Sequence, residues 1–96
     1  MMELKYVILD NLGMFGTNDG FIIFPAFEEH KSVANKYGGI EHVISAGFVS
    51  ITHDCKQDSF VAHCYGKSQS LHIGSRELDS RIITFYFNNQ NEWKGV

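Results

Sequence analysis

The chain lacks any apolar run near the roughly 20 residues a helical membrane span needs. It also lacks a leader-like start. The apolar stretch Tyr6 to Leu9 is short and ends at Asp10, so no secretion signal is expected. Cysteine is scarce: Cys55 and Cys64 are the only two, too few for a disulfide framework, and free thiols in a reducing cytosol are expected. Neither sign of charge dominates. A net charge of −3 argues against direct nucleic-acid binding, which draws on a basic excess, and falls short of the dense acidic face of a DNA mimic. No repeat, low-complexity tract or linker interrupts residues 1–96, so one domain is expected.

What the chain has is apolar bulk. Eight Phe, four Tyr and one Trp in 96 residues, 44% of them hydrophobic, can fill one core but not two. Tyr6 to Leu9 reads as a short strand ended by Asp10-Asn11. Leu12 to Gly20, with its glycines and the turn Asn18-Asp19-Gly20, reads as a loop or long hairpin connection. Phe21-Ile22-Ile23-Phe24 is continuously apolar, which predicts a central strand. Pro25 is placed to open a helix, since its missing N–H would have no partner in a first turn. Phe27, His30, Ala34 and Tyr37 follow helical spacing, with Val33 beside them, and Gly38-Gly39 supplies a left-handed stop.

His42 to His53 and Phe60 to Tyr65 form a hairpin across the polar turn Lys56 to Ser59. That register sets Cys55 opposite Phe60 and Thr52 opposite His63. Gly66 marks a bend, and Ser68 to Ile73 is a candidate further strand. Ser75 is the expected N-cap of a second helix, with Glu77 and Asp79 in its first turn. Leu78, Ile82, Phe85 and Tyr86 form its stripe, Asn88 to Asn91 ends it, and Glu92 to Val96 is a frayed tail. The expected fold class is α+β: a small antiparallel sheet with two amphipathic helices in the order ββαββ(β)α.

No set of residues completes a catalytic motif. His53, Cys55, His63 and Cys64 lack the paired spacing of a zinc site, and alternation on the strands turns His53 and His63 to opposite faces. No metal or cofactor is therefore expected. Cys64 adjoins His63, but strand neighbours point apart, and a free Cys is commonly a small buried hydrophobe. Cys64 could still meet His30 or His72 in the fold, so a Cys-dependent enzyme stays open as an alternative. Gly66-Lys67-Ser68 echoes the end of a phosphate-binding loop, yet Val61 stands where the first glycine belongs and strand follows where a helix should.

Four residues stand out as candidate binding groups. His30 lies on an apolar helical stripe, where the bland alternative is a core-edge histidine bonded to backbone. Lys67 and Ser68 follow the Gly66 bend, and Lys67 is a solvent-facing or anion-facing charge. Arg76 sits at the positive end of the second helix, where a cation needs a compensating partner such as Asp79 or faces an anion or a binding partner. A small-ligand or nucleotide-binding module would draw on His30, Lys67 and Arg76.

Phe24-Pro25, His30, Ala34, Ser45-Ala46-Gly47-Phe48, Cys64-Tyr65-Gly66-Lys67-Ser68, Ser70-Leu71, Ser75-Arg76 and Asp79, in that order, resemble a group of small uncharacterised proteins of tailed bacteriophages and prophages. The resemblance runs from Tyr6 to Ile82. It implies an accessory protein acting in the cytoplasm of a bacterial host. Phage proteins of this size commonly act by binding, so the resemblance implies a partner that is a host protein or a defence complex, inhibited in the manner of an anti-CRISPR protein. Exposed sheet edges add a homodimer as a further expectation.

Overall fold

A computed structural model describes residues 2–14 and 18–89. Of the expected helix end Asn88 to Asn91, Asn88 and Asn89 do close the second helix, while Gln90, Asn91 and the tail Glu92 to Val96 lie outside the described residues. The fold is α+β, in the expected order. Strands β1 (Met2–Leu9), β2 (Gly20–Pro25), β3 (Val43–Asp54) and β4 (Ser59–Tyr65) form an antiparallel sheet in the spatial order β2-β1-β3-β4. Helix α1 spans His30–Tyr37 and α2 spans Glu77–Asn88. Between β4 and α2, the two-residue strands β5 (Lys67–Ser68) and β6 (Ile73–Gly74) pair with each other in place of one further strand.

The expectation of a single core is corrected: alternation along β1 builds two hydrophobic clusters, one on each face of the sheet. Tyr6 and Ile8 point to one face with Phe21, Val49, Ala62 and Cys64, under Ile83 of α2. Val7 and Leu9 point to the other with Phe24 and Ala46, under Val33 of α1. Leu71 and Ile73 of the 66–74 segment pack on this second cluster.

This double burial corrects the reading of Phe21 to Phe24. The run is apolar because helices cover both its faces, yet β2 is an edge strand. Pro25 does not open a helix. It ends β2 opposite Leu4, and an edge strand tolerates a residue without an N–H. Helix α1 begins five residues later, and Phe27, off the helix, is 87% exposed. At the helix end Gly39 takes the positive φ of 103°, while Gly38 stays extended at −165°.

The hairpin register is two residues from the expected one. His53 faces Phe60 and Ser50 faces His63, while Cys55 sits in the turn. Asp54 fixes that turn by accepting the Lys56 and Gln57 N–H groups at 3.0 and 3.4 Å, and Asp58 takes the left-handed φ of 52° that Asp tolerates. A shift of two preserves facing, so His53 and His63 do point to opposite faces.

Helix α2 is capped at Arg76, one residue after the expected cap Ser75, because Asp79 reaches back to accept the Arg76 N–H at 2.9 Å. Its inward residues are Asp79 and Ile83, with Ile82, Tyr86 and Phe87 beside them, while Leu78 and Phe85 of the expected stripe are exposed. The helix also closes the sheet. Ser80 Oγ accepts the Cys64 N–H at 2.8 Å, and Thr84 Oγ1 accepts that of Ala62 at 2.9 Å. Asn88 Oδ1 accepts that of Phe60 at 2.7 Å and its amide donates to the Phe60 carbonyl. Four helical residues rise about 6.0 Å and two strand residues about 6.6 Å, so side chains at i, i+4 and i+8 match alternate groups on β4. With the β4 edge occupied, β2 is the outer strand of the four-stranded sheet left open to a second copy among the described residues.

Candidate functional site

Helix α1 and the 66–74 segment cover only part of their face of the sheet. Beyond them the side chains of Glu3, Lys5, Phe48, Ser50, Thr52, Val61, His63 and Tyr65 share one side, as the register requires. Thr52 and His63 are exposed, and Val61 is 52% exposed. A row of rings crosses this region. Phe24 meets His30 edge-on at 5.4 Å and His30 meets Phe48 edge-on at 6.0 Å. Phe48 then stacks on Tyr65 at 5.8 Å and Tyr65 on His63 at 5.6 Å. Tyr65 donates its hydroxyl to Glu3.

Where the covered and open parts meet lies a cleft of about 270 Å³, lined by Lys5, Glu29, His30, Phe48, Lys67, Gln69 and Ser70. Strands β1 and β3 supply Lys5 and Phe48 as register partners. The Gly66 bend, at φ 73°, turns the chain off β4 and carries Lys67 over the same face. Ser70 Oγ accepts the Lys31 N–H at 3.3 Å, tying the first turn of α1 to this segment. Lys5 donates to the Glu28 carbonyl at 2.8 Å, which leaves its charge unneutralised.

His30 is only 3% exposed and its Nε2 lies 2.8 Å from the Gly47 carbonyl oxygen. A carbonyl can only accept, so Nε2 carries the proton and Nδ1 keeps its lone pair. Burial, and secondarily the nearby Lys5 charge, hold the imidazole below the ordinary histidine range, although the Gly47 bond acts in the opposite direction.

The four candidate residues separate. His30 and Lys67 line one cleft. Ser68 adjoins it but is buried, with its hydroxyl accepting the Leu71 N–H at 3.1 Å. Arg76 is elsewhere, at the start of α2, and Asp79 is its partner: Nε and Nη2 each lie 2.9 Å from Oδ1. Asp79 is fully buried and also accepts the Tyr6 hydroxyl at 2.5 Å. Burial first, and then that bond, hold the Tyr6 phenol well above its ordinary range. The ion pair thus belongs to a network joining α2 to β1.

Cys64 lies inside the α2-side core, where burial pushes its thiol up to about 11. A catalytic thiolate needs the opposite environment. Among the described residues no three His, Cys, Asp or Glu side chains are placed to hold a metal ion.

Sequence reasoning missed Lys5, Glu29, Phe48, Gln69 and Ser70. Lys5 carried a signal, as a lone cation directly before the strand-like run Tyr6 to Leu9. Compared with protein-family models, with curated proteins and with solved structures, the chain has no match. Among the described residues no helix is long and apolar enough to cross a membrane.

Proposed function

We propose that this chain is a phage-type accessory protein that acts by binding, and that it engages a bacterial host protein or defence complex through the open part of the α1-side sheet face. The supporting observation is that face itself: a half-covered sheet presenting Val61, His63 and the Tyr65–Phe48 ring row, with no helix laid over it among the described residues. Clustered aromatic residues amid polar neighbours are the composition of a binding hot spot. The sequence resemblance supplies the setting, an accessory protein in the cytoplasm of a bacterial host, and inhibition of the partner is the outcome it implies. The buried, protonated Cys64 favours binding over a thiol-dependent reaction.

The experiment is paired capture from host lysate with the wild type and with Val61→Asp, which alters an exposed side chain and leaves both cores intact. A host protein retained by the wild type and lost with Val61→Asp is expected. Equal capture by both proteins, or no specific capture, overturns the reading.

A further inference from the structure

The cleft beside the open face has chemistry of its own, and it does not depend on the partner reading. Two ammonium groups reach it from different elements, Lys5 from β1 and Lys67 from β5. Among the described residues neither has a carboxylate within 4.0 Å. Glu29 is the one acid in the lining, and Gln69 and Ser70 add neutral polar groups. Phe48 gives the cleft an apolar wall. The third functional group is His30, only 3% exposed, with Nε2–H committed to the Gly47 carbonyl. Its Nδ1 has no hydrogen-bond partner among the described residues and is the ring nitrogen left for the cleft.

A ligand suited to these groups carries negative charge for the lysines and also a hydrogen to donate to Nδ1. A carboxylate has the charge without the hydrogen. A phosphate group near neutral pH has both: a phosphomonoester's second pKa is about 6 and the free ion holds its proton more tightly, so a fraction retains one P–O–H while the other oxygens accept from ammonium groups. The volume, about 270 Å³, lies below the roughly 300 Å³ at which drug-sized pockets begin, and suits one charged group with a few attached carbons.

We propose that the Lys5–His30–Lys67 cleft binds a phosphate group, as the free ion or as a small phosphomonoester. The P–O–H donates to His30 Nδ1, and Lys5 and Lys67 donate to the remaining oxygens. Lys5, Lys67 and Glu29 are the charged groups that line the cleft with His30. A bound anion there opposes the Lys5 field, so occupancy raises the pKa of the imidazole.

The test follows the His30 ring nitrogens by NMR across pH, with no added anion, with inorganic phosphate, with ribose 5-phosphate, with acetate, and with chloride at matched ionic strength. Saturable binding of at least one phosphate probe, with an upward shift of the His30 midpoint, is expected. Acetate should bind about tenfold more weakly or worse, given the extra charge-assisted contact phosphate makes. Lys67→Met, a change at an exposed side chain, should weaken phosphate binding by about tenfold, and Lys5→Met should do the same. Tighter binding of ribose 5-phosphate than of inorganic phosphate assigns the site to an ester, and the reverse assigns it to the free ion. The proposal is overturned by no saturable response, by acetate or chloride matching phosphate, or by unchanged affinity in Lys67→Met. None of these outcomes alters the capture experiment with Val61→Asp, so the two readings fail separately.

Discussion

Thr84→Val tests the closure of the sheet by helix α2. The two side chains have nearly the same shape, so the exchange removes one hydroxyl and little packing. That hydroxyl accepts the Ala62 N–H at 2.9 Å and approaches the Ala62 carbonyl at 3.3 Å. Ala62 is itself 4% exposed, so its amide gains little from water when the partner is lost. An unsatisfied buried amide costs about 1–3 kcal/mol. The Thr84 site is only half-buried, which places the expected loss near the lower end, about 1–2 kcal/mol. For a domain of this size each kcal/mol moves the midpoint by roughly 4–8 °C, so thermal unfolding should begin several degrees lower. Urea unfolding should give the same loss with an unchanged slope, since the surface exposed on unfolding is the same. Extending the change to Ser80→Ala, Thr84→Val and Asn88→Leu strips the whole β4 edge and should add concentration-dependent association, because a bare strand edge templates pairing. A Thr84→Val protein as stable as the wild type would refute the surrogate-strand role of α2.

Cys55 is exposed, while Cys64 is buried with its thiol pushed up to about 11, so iodoacetamide at neutral pH should label Cys55 and reach Cys64 only after unfolding. Comparable labelling of both in the native protein would contradict the placement of Cys64. The same shift has a sign in stability: the folded state favours the neutral thiol, so this contribution is complete below the ordinary value of 9.0 and is lost as pH rises toward about 11. His30 acts in the opposite range. Its pKa is lowered on folding, so the unfolded chain binds the proton more readily, and stability falls as pH drops below the ordinary 6.5. His30→Gln should remove that part of the acid dependence in urea titrations at several pH values, and an unchanged pH profile would count against burial of a neutral imidazole.

Much of the fold was legible because local signals agreed with the global ones. The order of elements follows from Gly20, Gly38-Gly39, Gly66 and the polar turn read at Lys56 to Ser59, each of which interrupts a periodic apolar pattern near where the chain does turn, although β4 already begins at Ser59. Pro25 misled because a missing N–H suits a helix start and an outer strand equally, and only the sheet order decides between them. The stripe on α2 misled for a different reason. Asp79 is drawn inward by Tyr6 and Arg76, rotating Leu78 and Phe85 toward solvent, and Tyr6 lies 73 residues from Asp79. The repeat Ser80, Thr84 and Asn88 is visible at helical spacing, but its meaning depends on β4 lying alongside. His30 and Lys67 could be singled out from sequence, whereas Lys5 could not be joined to them before the register set it against Phe48. Arg76 could be given its Asp79 partner from spacing on one helix, and that ion pair is part of the core network.

Binding of a host protein through the open part of the α1-side face is tested by a photocrosslinking amino acid installed in host cells. It is placed at Val61 on that face and, separately, at Arg81 on the exposed side of α2. A discrete crosslinked host protein is predicted from position 61 and none from position 81. A crosslink from position 81 alone, or from neither position, would contradict the claim.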